Sequence, residues 1–271
     1  MSNVTTAARS LLKAVVLRSP FGPSLQTWYR RRRSIQDLSR WTPTDDAALR
    51  FYAPFIGSDD ICFDIGANRG VRTKIFRRLA ARVVAVEPQR SCTAILHGAY
   101  DRDANISVVS AACGAAPGSA VMHVSDIDIL SSLSEEWISA VSGSGRFGGG
   151  WTREEPCVVV TLDDLIHSYG RPSFIKIDVE GYELNVLRGL TRPVPCVSFE
   201  FTPERFDAAV ECADYLCALG LSQFNVSWGD SFALFLDSWL GRDPMISLLQ
   251  RYREDYVIFG DIYARLGDER R

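Results

Sequence analysis

Short apolar runs that end in an acid recur along this chain and set its frame. Ile61-Cys62-Phe63-Asp64-Ile65 is followed by the turn Gly66-Ala67-Asn68-Arg69-Gly70, and residues 71–79 then have the composition of a helix. An unbroken apolar run of this length reads as a strand buried in a parallel sheet. Strand, glycine turn and helix together make the opening of a nucleotide-binding βα unit. The unit then repeats. Residues 82–86 predict a second strand ending at Glu87-Pro88, residues 91–100 a helix, and residues 106–112 a third strand. Residues 120–124 and 157–162 are strand-like, and Thr161 reads as a cap entering a helix. Residues 174–177 predict a buried strand that delivers Asp178, with Glu180 and Gly181 in the turn beyond and a helix over 183–187. A further strand over 196–201 ends near Glu200. Residues 212–219 read as a helix stopped by Gly220, and residues 221–226 and 231–236 as a hairpin turning at Trp228-Gly229-Asp230. A helix over 244–253 and a short strand over 256–263 complete the chain. The expected fold is α/β: a Rossmann-like, mostly parallel sheet with a C-terminal antiparallel hairpin strand, preceded by an N-terminal helical extension. We place the extension at residues 1–57, including a helix over 45–55, and the main domain at 58–271.

Composition narrows the class. A chain of 271 residues with 46% hydrophobic residues can bury a substantial core as one large α/β domain with appendages. Its net charge of −3 and isoelectric point near 5.7 make it a poor general nucleic-acid binder, so no nucleic-acid partner is expected. Seven cysteines are scattered without a C-x-x-C pair. They read as free thiols in a reducing, cytoplasmic setting, and no metal site is assigned, though a divalent ion is compatible with the acids below. Near the N-terminus, the apolar run over 11–17 is too short to span a bilayer and lacks a cleavage site, and Ser19-Pro20-Phe21-Gly22-Pro23 breaks any helix. Trp28-Tyr29 precedes Arg30 to Arg33. This stretch offers a membrane-surface or acidic contact; the plainer reading is a solvated helix face. The glycine-rich loop over 142–151 is either a lid, closing with Phe147 and Trp151, or a mobile loop without function.

The candidate chemistry sits at strand ends. Gly66 and Gly70 let the backbone come close to a ligand, and Asp64 stands at the carboxyl end of its strand, where open α/β sheets bind ligands. The turn is not G-x-G-x-x-G, and an acid beside it would repel a dinucleotide pyrophosphate. A cationic ligand without phosphates, S-adenosylmethionine (SAM), fits better. Glu87 can accept both ribose hydroxyls, and its replacement should weaken cofactor binding with little effect on stability. Ala111 leaves room for an adenine ring. Asp178, Glu180 and Glu200 come to the same sheet edge, where clustered acids need something positive among them: a sulfonium, a cationic substrate or a metal. Alternatively, some of these acids cap helices or pair with arginines. His97 and His167 fall on helices away from that edge, and His123 remains open as a base.

Asp64-Ile65-Gly66-Ala67-Asn68, Glu87-Pro88 and above all Ile175-Lys176-Ile177-Asp178-Val179-Glu180-Gly181-Tyr182-Glu183-Leu184 resemble the FkbM family of SAM-dependent methyltransferases. The resemblance covers about residues 58 to 205, and Phe259-Gly260-Asp261-Ile262-Tyr263-Ala264 is similar to endings in part of that family. It implies a class I methyltransferase sheet of seven strands and O-methylation of a hydroxyl on a sugar, glycan or secondary metabolite. Under that reading Asp64 and the turn Gly66, Ala67, Asn68, Gly70 hold the methionine end of SAM. Glu87 and Pro88 hold the ribose. Asp178 faces the reacting methyl, with Glu180 and Glu200 as further candidates for catalysis. Arg69 stands where members have a smaller residue, and points to solvent. Two other readings compete: a non-catalytic SAM-binding interaction protein, and a nicotinamide-dependent oxidoreductase on the same fold.

Overall fold

The computed structural model describes residues 22–80, 82–144 and 150–267. The expectations placed on the run over 11–17, the break at 19–21 and the lid residue Phe147 lie outside the described residues. The chain divides into two compact units, residues 1–40 and Trp41–Arg271. In the first, α1 spans Gly22–Ser39.

The larger unit begins with α2 (Pro43–Tyr52), which is closed at its start by a reciprocal capping box between Thr42 and Asp45. Ala48, Tyr52 and Ile56 are buried with Phe76, Phe174 and Tyr263, and Tyr52 meets Phe76 edge to face at 4.9 Å. The division therefore falls after Arg40, ahead of the boundary at 57 expected from the sequence.

The main sheet is assembled from β1 (Ile61–Ile65), β2 (Arg82–Val86), β3 (Ile106–Val109), β7 (Phe174–Ile177), β8 (Cys196–Phe201), β9 (Gln223–Trp228) and β10 (Gly260–Arg265). Their order is β3-β2-β1-β7-β8-β10-β9. All neighbours are parallel except β10, which runs antiparallel between β8 and β9. The order reverses at β1, and ligands bind at such switch points beside the strands' carboxyl ends. β1 and β7 are buried along their whole length, so their apolar runs need no alternation. α3 (Val71–Leu79), α4 (Arg90–Tyr100), α6 (Leu162–Tyr169), α7 (Glu183–Leu187), α8 (Phe206–Ala218) and α9 (Arg242–Gln250) accompany the strands. Thr161 caps α6 through a capping box with Asp164, as its position suggested.

Two elements depart from the sequence reading. The third strand stops at Val109; there the Ala111 amide turns back to the Val109 carbonyl at 3.0 Å. The next pair, β4 (Ala112–Cys113), joins β6 (Trp151–Val160) and β5 (Gly118–Ser125) in a second, three-stranded sheet ordered β4-β6-β5. α5 (Glu135–Ser144) lies between β5 and β6 in the chain and contains Ser142 to Ser144 of the expected loop. Residues 231–236 are not a strand. Asn225 donates through Nδ2 to the Leu236 carbonyl at 2.9 Å and accepts from its amide at 3.2 Å, while Phe232 takes a positive φ of 48°. A side chain thus takes the polar groups that a ladder would use, and the antiparallel place goes to β10.

Candidate active site

The β1 and β7 strands deliver their ends side by side. Asp64 pairs in register with Lys176 and Ile65 with Ile177, and the Asp178 amide donates to the Ile65 carbonyl at 2.9 Å. The two turns that follow touch. Gly66 has φ 80°, and a Cβ there would overlap the Asp178 carbonyl. Gly181 has φ 87°, and a Cβ there would enter the Trp137 side chain. Both positions thus need glycine for conformation and for space.

A cavity opens above these turns. Of the residues singled out from the sequence, it is lined by Gly66, Asn68, Glu87, Pro88, Ala111, Asp178 and Glu180. Gln89, Ser132 and Tyr182 line it too and were not foreseen. Asp64, Ala67, Gly70 and Glu200 do not line it. Ala67 packs with Ala85 and Leu96. Gly70 caps α3 with φ 90°, and its carbonyl accepts from the Tyr100 hydroxyl at 2.9 Å. Arg69 is exposed, as expected.

Asp64 is 2% exposed and accepts from the Thr73 hydroxyl at 2.5 Å. Burial pushes its carboxyl up to about 6, against the Thr73 hydrogen bond and the Lys176 charge. The acid therefore ties the turn to the first turn of α3 from beneath. Glu87 joins two loops: Oε2 accepts from the Asn68 amide at 2.8 Å and Oε1 from the Gln89 amide at 2.7 Å. Both amides belong to residues that line the cavity.

The third group of acids surrounds a buried cation. Lys176 is 1% exposed. Its ammonium donates to Asp261 Oδ1 at 2.8 Å and lies 3.2 Å from Asp178 Oδ2. Burial alone would lower its pKa; Asp178 and Asp261 hold it well above the ordinary lysine range instead. Asp178 keeps a side chain 40% exposed toward the cavity. Carboxylate oxygens of Asp178, Glu180 and Glu200 lie within 4.8 Å of one another. Burial, then Glu200 and Asp178, push the Glu180 carboxyl well above the carboxylate range; burial, then Asp178 and Glu183, do the same to Glu200. Glu183 accepts from the Gly181 amide at 3.0 Å, and burial raises it to about 7. Glu200, off the cavity wall, thus acts on Glu180 and Asp178 from behind. Such a cluster can pass a proton among its members, and its oxygen-only donors are of the kind that suits Mg²⁺ or Mn²⁺.

None of the three histidines lines the cavity. His97 pairs with Asp101 at 2.7 Å on α4, His123 stands 3.7 Å from both Glu135 and Glu154, and His167 lies on α6. All seven cysteines are free thiols.

These displaced acids make stability depend on pH. A carboxyl whose folded pKa exceeds its unfolded value binds a proton more tightly when folded. Its favourable contribution is full below the unfolded pKa and is lost as pH rises through the folded one. For Asp64 that window runs from 3.8 to about 6, and for Glu183 from 4.5 to about 7. Thermal unfolding without ligand is expected to show a higher Tm near pH 5 than near pH 7.5. A Tm that climbs steadily between those values would contradict the burial of these acids.

The sheet order and the strand-end cavity define a Rossmann-like α/β fold with a ligand site at its switch point. A family model described as "Methyltransferase FkbM domain" matches residues 64–222, and the chain belongs to that family. It is 25% identical over 195 residues to the hexuronic acid methyltransferase AglP of Haloferax volcanii, a match covering 69% of this chain and 75% of that one. Among solved structures, it is similar to an FkbM methyltransferase from Methylobacillus flagellatus KT, with a TM-score of 0.46 and 15% identity. That match covers 87% of this chain and 59% of the other. A precorrin-6y C5,15-methyltransferase from Geobacter metallireducens GS-15 matches with a TM-score of 0.43 and 10% identity, covering 82% of this chain and 87% of that one.

Proposed function

We propose that this protein is a SAM-dependent O-methyltransferase acting on a hydroxyl of a sugar, a glycan or a secondary metabolite, with uronic-acid glycans the first class to test. The observation that carries the reading is one cavity with Glu87 on one wall and Asp178 with Glu180 on another, at the switch point of the sheet. The cavity suits SAM by its chemistry. Its walls carry acids, which favour an ammonium and a sulfonium and repel a pyrophosphate. Gly66, with no side chain, lines the cavity beside Asn68. The relative from Haloferax volcanii, named for hexuronic acid, directs the choice of acceptor.

When bound, SAM supplies an electrophilic methyl on a sulfonium. The chain's own residues position and deprotonate. The backbone at Gly66 and Asn68 holds the methionine end, and Asp64 keeps that turn in place through Thr73. Glu87 and Pro88 receive the ribose, and Ala111 gives the adenine its space. Asp178 accepts the hydrogen bond of the acceptor hydroxyl and takes its proton. Glu180 and Glu200, with raised proton affinities, hold their protons beside it, so that three adjacent carboxylates are not all ionised. A neutral hydroxyl suits this wall better than a carboxylate, which would add a fourth acid within reach of three.

Calorimetric titration tests the cofactor: SAM and its demethylated product should bind and NAD(H) should not. Tight NAD(H) binding without SAM binding would return the fold to the oxidoreductase reading. SAM binding without transfer to any hydroxylated acceptor would favour the interaction protein. A second measurement addresses Glu87. Glu87→Ala is expected to weaken SAM binding by about 1.5–3 kcal/mol, the scale of charged hydrogen bonds. The structure revises the expectation of unchanged stability: the substitution strips the Asn68 and Gln89 amides of an acceptor, so unfolding without ligand should become easier by about 1–3 kcal/mol. An unchanged SAM Kd would show that the ribose lies elsewhere.

A further inference from the structure

We propose that the exposed face of α1 docks this protein onto an anionic lipid bilayer. The segment from Trp28 to Arg40 holds five arginines and one aspartate, in a chain whose net charge is −3. Ser34, Ile35 and Leu38 are half-buried, while Trp28, Tyr29 and Arg30 to Arg33 are exposed; at 100° per residue Trp28, Tyr29, Arg32 and Arg33 stand within about 140° of one another. Trp28 is 54% exposed and Tyr29 59%. Large aromatic rings left in water call for an explanation when they share a face with a run of cations. The guanidinium of Arg32 lies over the Trp28 ring at 5.3 Å, and Arg33 meets Asp37 at a loose 3.8 Å with both side chains more than half exposed. Asp37 also meets Arg40 at 3.6 Å, and exposed contacts of this length contribute little.

Arginines beside tryptophan and tyrosine match the layer where lipid headgroups meet acyl chains. The cations attract anionic headgroups, and the amphipathic rings sit at headgroup level. A nucleic acid would take the same cations but would not call for rings at headgroup level. No helix among the described residues is long and apolar enough to cross a membrane, so the contact is peripheral. It needs nothing from the cavity and stands whether or not the acceptor is a glycan.

The test is co-sedimentation of the full chain with vesicles of phosphatidylcholine alone and with about 30 mol% phosphatidylglycerol. The expected result is partition onto the anionic vesicles only, abolished at about 0.5 M salt, where the Debye length is a few ångströms. The triple variant Arg30→Gln, Arg32→Gln, Arg33→Gln should lower partition about 100-fold, from roughly five-fold per charge. Glutamine keeps nearly the helix propensity of arginine, so circular dichroism should not change. Trp28→Ala with Tyr29→Ala, at full charge, should lower it a further several-fold, a loss that simple charge attraction would not produce. Equal binding to neutral vesicles, full binding by the triple variant, or tighter binding to a DNA duplex than to anionic vesicles at the same salt would each overturn the proposal.

Discussion

Asp178→Asn is expected to lower turnover by about 100-fold or more while changing SAM affinity much less. The substitution keeps the volume and removes the charge. General acid–base groups contribute about 10²- to 10⁴-fold, and Asp178 is the one member of the trio that both lines the cavity and contacts the Lys176 ammonium. If Asp178 held the ammonium of SAM instead, affinity and turnover would fall together. If the three carboxylates acted through a divalent ion, chelator would silence the wild type and Mg²⁺ or Mn²⁺ would restore it. Full turnover by Asp178→Asn on the true acceptor would make that carboxylate structural and move the base to Glu180 or Glu200.

Lys176→Met should be the most destabilising substitution at this edge, by about 3–5 kcal/mol, because removing one partner of a buried ion pair strands the other. The ammonium is the cation that Asp178 and Asp261 share, on a residue only 1% exposed. Methionine matches the length and apolar character of the stem, so the loss is that of the charge. The double substitution Lys176→Met with Asp261→Asn should recover part of the stability, since the stranded carboxylate goes as well. Urea unfolding of the three proteins measures this. A Lys176→Met variant within about 1 kcal/mol of the wild type would mean that the ion pair contributes little net stability.

How much of this was legible in the sequence depends on whether a feature is local. Strands β1, β7 and β8 were readable because each is a short apolar run closed by an acid, and burial on both faces removes any need for alternation. Glu87 was readable as a strand-end acid, but its bonds to Asn68 and Gln89 depend on how two turns meet. The burial of Asp64 beneath the turn was hidden because Thr73 reaches it only when α3 starts at a particular rotation. Lys176 sat in plain view as a cation inside an apolar run, a signal that a buried partner must exist. That partner, Asp261, is 85 residues away on β10, beyond any spacing argument. The misplaced hairpin has the same origin. The apolar run over 232–236 looks like a strand, and only the position of Asn225 in the folded sheet shows which atoms take the Leu236 backbone groups.

The most direct measurement is methyl transfer by the purified protein from methyl-labelled SAM to a panel of uronic-acid glycans and other hydroxylated acceptors, followed by alkali treatment of the product. The proposed chemistry at Asp178 predicts label on an acceptor hydroxyl, retained through alkali as a stable ether and absent with Asp178→Asn. Label released by alkali as an ester, or transfer that Asp178→Asn leaves intact, would contradict it.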